Sequence, residues 1–325
     1  MSLANPRASG APVGMVLAYL RRNTIVALLL LLAAFTAGIE VVRPGTVTPL
    51  WVSNTLLFAA PLGIFAAGQT LVMLTGGIDL SVATVASGSA YLLATNASLG
   101  TPAAILIGLA LGILVGLANG VGIALMRVQP LVMTLGTGLM TGGIMIVYSQ
   151  KMLASQPRVP SFIQTIGATK LAGLLPYDLF VWVPIATIMV YMLRRSGFGR
   201  LIYAVGDNRA ACELAGVRVW PVLLTAYALC GFLAALAGLI LVGGTNASNL
   251  SLADSFLLPS VAAVIIGGTS IFGGRGGYSG SMVGAVILTV LTSLLTLLDV
   301  SEPIKQILYG LIILAMAAAY ARLTE

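Results

Sequence analysis

Apolar runs long enough to cross a lipid bilayer occupy most of this chain of 325 residues. A membrane-spanning helix needs roughly 17–25 mostly apolar residues in succession. Only 8% of the residues are charged, whereas a soluble domain carries roughly 25%. The sequence therefore predicts an all-α integral membrane protein with about ten transmembrane helices, at 24–42, 52–75, 78–97, 102–125, 130–150, 178–193, 222–243, 257–273, 278–298 and 303–321.

The first run raises the alternative of a signal peptide. It is long for such a segment, and no A-x-A cleavage site follows it cleanly. We therefore expect a cytoplasmic N-terminal segment at 1–23, followed by one polytopic membrane domain at 24–325.

The basic residues predict the orientation of the helices. With the N-terminus inside the cell, ten helices place eleven of the 16 Lys and Arg residues on the cytoplasmic side and five outside. This bias agrees with the positive-inside rule, so both termini are expected in the cytoplasm. The net charge of +7 then needs no nucleic-acid partner, because the arginines form no cluster with aromatic residues.

Several kinds of chemistry lack the residues that they require. The chain has no histidine, which excludes histidine-based catalysis and metal binding. Cys212 and Cys230 do not have the spacing of a zinc or redox motif. No lysine follows a glycine, so the chain has no G-x-x-x-x-G-K-[ST] phosphate loop. We expect neither an enzyme nor an ATPase site on this chain.

Asp79 is the acid that lies well inside the apolar pattern. A charge at the bilayer midplane costs roughly 2.5–3.5 kcal/mol, which makes such an acid a candidate functional group. Asp79 also follows Gly76 and Gly77 at a predicted helix edge, where Asp79 or Ser81 would cap the next helix. We favour the cap.

A faint internal repeat links residues 74–80 (LTGGIDL) with residues 265–271 (IIGGTSI). Each stretch follows an apolar run of the same predicted direction and leads into a segment rich in small residues. Transporters often consist of two such halves around a central path. We therefore expect two loosely repeated halves.

The cytoplasmic loop at 194–221 carries signals for a short helix. Asn208 or Asp207 is suited to the N-cap, and Gly216 is suited to the position after the helix. Arg209 and Glu213 are spaced as an i,i+4 ion pair.

The opposite face of this helix is apolar and consists of Ala211, Leu214 and Ala215. Such a helix either lies on the lipid surface or enters a groove of a partner protein. Because the face carries no Trp or Phe to hold it in lipid, we favour docking to a protein.

The stretch GFGRLIYAVGDNRAACELAGV in this loop resembles the cytoplasmic loop of ATP-binding-cassette sugar importer permeases of the ribose, xylose and autoinducer-2 group. Three further stretches follow that family's order: GQTLVMLTGGIDLSVATVASGSA, VQPLVMTLGTGLMTGGI and AAVIIGGTSIFGGRGGYSGSMVGA. With the final KQILYGLIILA they cover most of 69–315. The sequence departs from the family's usual pattern at Ala83, Cys212 and Glu213.

The resemblance implies a multi-pass permease in the inner membrane of a bacterium. It pairs with a second copy or a related permease, and a periplasmic or extracellular binding protein delivers a monosaccharide or similar small polar solute. ATP and magnesium are held by a separate ATPase subunit, and no cofactor is expected on this chain. The implied ATPase-coupling residues are Gly199, Arg200, Tyr203, Gly206, Asn208, Ala211, Leu214 and Gly216, with Asn208 as the cap and Leu214 as the apolar plug.

The substrate path has weaker sequence signals. We select the polar residues Gln69, Asn119 and Thr137, which lie in apolar runs, although such residues also bond across helices for structural reasons. An uncharged polar lining suits a neutral sugar better than an anion. Two alternatives to the importer remain open: a self-contained carrier or channel driven by gradients, and a membrane scaffold that transports nothing.

Overall fold

The structure, a computed structural model, describes residues 24–152 and 157–324. The segment at 1–23, expected in the cytoplasm, lies outside the described residues. The α helices of the described part are α1 Thr24–Val42, α2 Pro49–Leu74, α3 Val82–Thr95, α4 Thr101–Ala124, α5 Pro130–Lys151, α6 Ser161–Ala168, α7 Leu179–Arg195, α8 Gly197–Asp207, α9 Arg209–Leu214, α10 Val219–Thr245, α11 Leu257–Ile266, α12 Tyr278–Leu297 and α13 Glu302–Thr324.

The described helices that are long and apolar enough to cross a membrane number six, or seven if α7 and α8 form one span bent by 69°. The protein is therefore a helical membrane protein, but the expected count of ten spans is not confirmed. Nothing in the structure tests the expected cytoplasmic position of the termini.

Short helices account for part of the difference in the count, because α13 has 23 residues and is still not among the six. Every predicted run contains a helix, but α3 has 14 residues and α11 has 10. At 1.5 Å per residue they extend roughly 21 and 15 Å, less than the roughly 30 Å of a hydrocarbon core. The Gly-Gly pairs at 76–77 and 267–268 lie in turns, so part of each apolar run is loop rather than helix.

Helix α10 lies at the centre of the first half of the core, where it packs against α2, α3, α4 and α6. Its closest neighbour is α4, because the four-residue spacing of glycines on α4 removes the side chains between the two backbones. A Cβ atom added at Gly112 would lie 2.2 Å from the carbonyl oxygen of Gly231, and one at Gly116 would lie 2.4 Å from that of Tyr227. The contact thus depends on small residues along one face of α4.

The second half of the core is formed by α11 and α12 with α2, and α13 packs against α11. Helices α1 and α5 have few buried residues and expose apolar side chains such as Leu30, Leu139 and Ile144. This is the surface expected of helices that face lipid.

The connection between α5 and α7 has structure of its own. It contains α6 and an antiparallel hairpin of two strands, β1 Lys170–Leu171 and β2 Leu175–Pro176. Helix α6 packs on α10, where a Cβ at Gly167 would lie 2.4 Å from the carbonyl oxygen of Ile240.

Candidate coupling site and polar interior

The segment between α7 and α10 folds into two helices, α8 and α9, whereas the sequence predicted one. The expected short helix is confirmed as α9. Asn208 is its N-cap, with the side-chain Oδ1 accepting from the amide of Ala211 at 2.9 Å. Gly216 follows it with φ of +79°, a left-handed conformation that favours glycine. The ion pair of Arg209 with Glu213 is also present, at 3.1 Å.

The apolar face of α9 points away from the protein. Cys212 is the buried residue of this helix, whereas Ala211 and Ala215 are exposed and Leu214 is 91% exposed. Exposing a leucine to this extent brings no stability to the isolated chain. Helix α9 therefore has an apolar side chain that the described part of the chain does not cover.

Helix α8 lies against the turns that end α2 and α11, the two stretches of the sequence repeat. The hydroxyl of Tyr203 donates to the carbonyl oxygen of Gly276 at 2.9 Å. Gly206 lies so close to the end of α2 that a Cβ there would be 1.8 Å from the carbonyl oxygen of Leu74. The same oxygen accepts from the amide of Gly274 at 3.0 Å. One helix thus contacts both halves of the protein through backbone atoms.

The remaining predicted coupling residues lie at the start of α8. Gly199 is buried and donates its amide to the hydroxyl of Ser196 at 2.9 Å, which caps the helix. Arg200 is exposed on the next position. All eight residues predicted from the resemblance therefore lie in the segment formed by α8, α9 and Gly216. Their role in ATPase coupling stays a prediction.

The two repeat turns have the same hydrogen-bond pattern with the register shifted by one residue. In the first, Gly76 donates to Met73 and Gly77 donates to Val72; in the second, Gly268 donates to Ile265 and Thr269 donates to Val264. The left-handed residue is the first glycine of one pair and the second glycine of the other, with φ of +81° and +87°. Both helices therefore end in the same reversal of the chain, which supports the repeat.

The three predicted path residues belong to one buried polar network, formed by Gln69, Asp79, Ser81, Asn119 and Thr137. Thr137 donates to the Oδ1 of Asn119 at 2.6 Å, and the amide of Asn119 donates to the Ser81 hydroxyl at 3.0 Å. That hydroxyl donates to the Oδ1 of Asp79 at 2.6 Å. Gln69 donates to the backbone carbonyl of Asp79 at 2.7 Å. The network ties α2, α4 and α5 to the first repeat turn.

Gln69, Asp79 and Asn119 have no solvent-exposed surface in the structure. Their side chains are engaged with one another, and so they hold helices together in this conformation. Whether they line the path in another conformation stays a prediction. Ser81, which bridges Asn119 to Asp79, was predicted from the sequence as a possible helix cap and not as a path residue.

The expectation that Asp79 or Ser81 caps α3 is wrong in its detail. Ser81 occupies the N-cap position but makes no side-chain capping bond. Asp79 instead accepts from the amide of Ser81 at 2.8 Å, before the helix begins. Its Oδ2 is buried and has no hydrogen-bond partner among the described residues, while Tyr227 and Cys230 of α10 lie beside the carboxylate. The acid closes a buried turn between α2 and α3.

Comparison with known proteins identifies similar chains. The pattern of the family described as "Branched-chain amino acid transport system / permease component" matches residues 51–317. The chain is 32% identical to the ribose import permease protein RbsC of Haemophilus influenzae, over 92% of this chain and 93% of that one. No solved structure matches.

Two further relatives carry other names. The fructose import permease protein FrcC of Rhizobium meliloti is 33% identical, over 80% of this chain and 74% of the relative. The autoinducer 2 import system permease protein LsrC of Salmonella paratyphi B is 32% identical, over 83% and 78%.

Proposed function

The chain belongs to the family of branched-chain amino acid transport system permease components, and from this membership we propose that it is the membrane-spanning subunit of an ATP-binding-cassette importer. Its substrate is a monosaccharide or a similar small polar solute, delivered by an external binding protein. The importer lies in the bacterial inner membrane, with two permease subunits forming the path. The names of the ribose and fructose import permeases support the solute class.

The exposed α9 is the observation that carries the proposal. Its 91% exposed Leu214 is suited to a groove of an ATPase subunit, as the apolar anchor of an interface usually is. The chain has no phosphate loop of its own. In the proposed importer, ATP is hydrolysed on a separate subunit, and that subunit binds at α9.

The position of α8 explains how binding of ATP reaches the membrane helices. Movement of α9 displaces α8, which contacts the carbonyl oxygens of Leu74 and Gly276. Because these residues end α2 and precede α12, one displacement acts on both halves. Gates at opposite ends of the path then open in turn, without a coupling ion.

A gradient-driven carrier is the second candidate, and Asp79 favours it. Buried acids in membrane segments commonly carry ions or protons, and the Oδ2 of Asp79 has no partner in the described part of the chain. Such a carrier would work without an ATPase, and dissipating the gradient would abolish uptake.

Isolation of the tagged chain in mild detergent tests the two candidates. We expect mass spectrometry to find a phosphate-loop ATPase in near-equal amount. The variant Leu214→Asp should lose the ATPase, because a charge cannot enter an apolar groove. Leu99→Asp is the matched control: this leucine is also exposed, at 64%, but follows α3 at a different loop.

The outcomes separate the candidates. Loss of the ATPase in Leu214→Asp but not in Leu99→Asp, with both variants inserted in the membrane, supports the importer. ATPase retained by Leu214→Asp contradicts α9 as the docking element. A chain isolated alone in several detergents, with uptake that depends on a gradient, overturns the importer.

A further inference from the structure

A cavity of about 560 Å³ lies between α2, α11, α12 and α13. Its walls include Trp51 near the start of α2 and Thr296 near the end of α12. The opposite ends of these two helices contact α8, so the cavity lies at the end of the bundle far from α8 and α9. Its volume falls in the range of roughly 300–1,000 Å³ that is usual for small-molecule sites.

Helix α12 contributes a polar stripe to this cavity. Thr289, Thr292, Ser293 and Thr296 line it, with the i, i+3, i+4, i+7 spacing that places residues on one helix face. The hydroxyls of Thr289, Thr292 and Thr296 each donate to a carbonyl oxygen of their own helix four residues earlier. The hydroxyl oxygens still have acceptor capacity for a group in the cavity.

Cross-helix bonds hold the walls in place. The indole nitrogen of Trp51 donates to the Ser293 hydroxyl at 3.1 Å, and the hydroxyls of Thr292 and Tyr309 lie 2.7 Å apart. These bonds join α2, α12 and α13 around the cavity. Two lining residues keep bonding capacity: Asn54, whose amide nitrogen has no partner among the described residues, and Ser255, whose hydroxyl has none there.

Aromatic and aliphatic side chains, among them Leu62 and Leu297, form most of the rest of the lining. Trp51, Phe58 and Phe256 border the cavity, and Phe58 is 60% exposed. Sites for small molecules commonly combine aromatic surface with a few placed polar groups. Flat rings beside hydroxyl and amide groups match a molecule that has both C–H faces and many hydroxyls.

The charge within the cavity lining is paired. Glu302 is its charged lining residue and pairs with Lys305 at 3.4 Å. Lys305 also donates to the Thr296 hydroxyl at 2.9 Å. The other lining residues are neutral, and Lys170 lies beside the lining, where it donates to the Oδ1 of Asn54.

We propose that this cavity binds a neutral, polyhydroxylated solute of monosaccharide size. It would be a binding site on the transport path, at the end of the helix bundle far from α8. The proposal rests on the proposed function and extends it, since it assigns the binding groups to Asn54, Ser255 and the α12 stripe. Helices α2 and α12 form its walls and also end at the contacts of α8. A displacement of α8 therefore changes the cavity that holds the solute.

Thiol labelling in right-side-out membrane vesicles that carry the complete importer tests the proposal. Ser255→Cys places a thiol in the cavity, and Ser251→Cys is the matched control on the same loop, exposed but outside the lining. The native cysteines are buried. The reagent is a membrane-impermeant maleimide, and the protecting probes are D-ribose and D-fructose, with gluconate as the anionic comparison.

We expect the imported sugar to slow labelling of Ser255→Cys about tenfold at about ten times its half-saturating concentration, since the unoccupied fraction then falls to about one in eleven. Labelling of Ser251→Cys should not change, and gluconate should protect neither. As a second readout, Asn54→Leu should raise the KM of sugar uptake while the ATPase still isolates with the chain.

Several results would overturn the proposal. In one such result, the importer takes up sugar with ATP, but no probe protects Ser255→Cys from labelling. The cavity would then not be a solute-binding site, and the proposed function would stay intact. Protection by short-chain phospholipid instead of sugar assigns the cavity to lipid. Labelling only from the cytoplasmic side places the cavity at the wrong membrane face. If the chain, with its ATPase and binding protein present, takes up no small polar solute, the proposed function is overturned and this proposal with it.

Discussion

The two repeat turns differ in what holds them, although both reverse the chain in the same way. The first, at 74–81, is tied to α2, α4 and α5 by the network around Asp79. The second, at 267–277, bonds mainly within itself and to the start of α12, as when Ser270 donates to the carbonyl of Arg275 at 2.9 Å.

The backbone of the second turn is correspondingly unusual. Its glycines at 268, 273, 274, 276 and 277 all have positive φ, and the segment contacts α8 through Gly276. From this comparison we predict that the first turn stays fixed and that the second turn moves as a unit. We expect α8 to push mainly on the second turn while the first supports it.

The largest effect is expected where α8 contacts both turns. Gly206→Ala adds a Cβ that would lie 1.8 Å from the carbonyl oxygen of Leu74 and 2.7 Å from the amide of Gly274. Backbone atoms there must shift, which costs about 1–3 kcal/mol or more. We expect sugar uptake to fall to background while the ATPase still isolates with the chain, because α9 remains exposed.

Gly136→Ala on α5 is the control for that variant, since nothing lies within 4 Å of its added Cβ. It should keep normal uptake. Normal uptake by Gly206→Ala would show that the contact of α8 with α2 is not needed for coupling. The expectation that α8 acts on the two turns would then be wrong.

A smaller effect is expected at the second turn alone. Tyr203→Phe removes the hydroxyl that donates to Gly276 at 2.9 Å, a loss of about 1 kcal/mol. In proteoliposomes with the partner subunits, we expect fewer solute molecules imported per ATP hydrolysed. The matched control is Tyr191→Phe on α7, an exposed tyrosine; an equal loss in both variants would contradict a specific role for the Tyr203 contact.

The smallest effect is expected at the first turn. Asp79→Asn keeps the Oδ1 that accepts from Ser81 and changes only the atom that has no partner in the described residues. Uptake should therefore change little. Asp79→Leu removes the acceptor and leaves the buried amide of Ser81 unpaired, at about 1–3 kcal/mol, which should lower the unfolding temperature in detergent.

Complete loss of uptake in Asp79→Asn, with the chain still folded, would break this interpretation. The charge itself would then be required, and the gradient-driven carrier would become the better candidate. Uptake measured with and without an uncoupler would show whether the acid responds to a gradient.

Local features of the molecule were predictable from the sequence. The N-cap at Asn208, the left-handed Gly216 and the pair of Arg209 with Glu213 all follow from bonds that span at most five residues. The helical class follows from hydropathy, because a backbone in lipid must satisfy its own hydrogen bonds. Such rules need no knowledge of which helices meet.

Contacts between distant segments were decided only by the tertiary structure. Gln69, Asn119 and Thr137 were selected as polar residues in apolar runs, but their common attachment to Asp79 depends on how α2, α4 and α5 pack. The walls of the cavity join residues as far apart as Trp51 and Ser293, 242 positions along the chain. The number of full spans also depended on the turns at Gly76 and Gly268, since hydropathy measures the length of an apolar run and not where its helix ends.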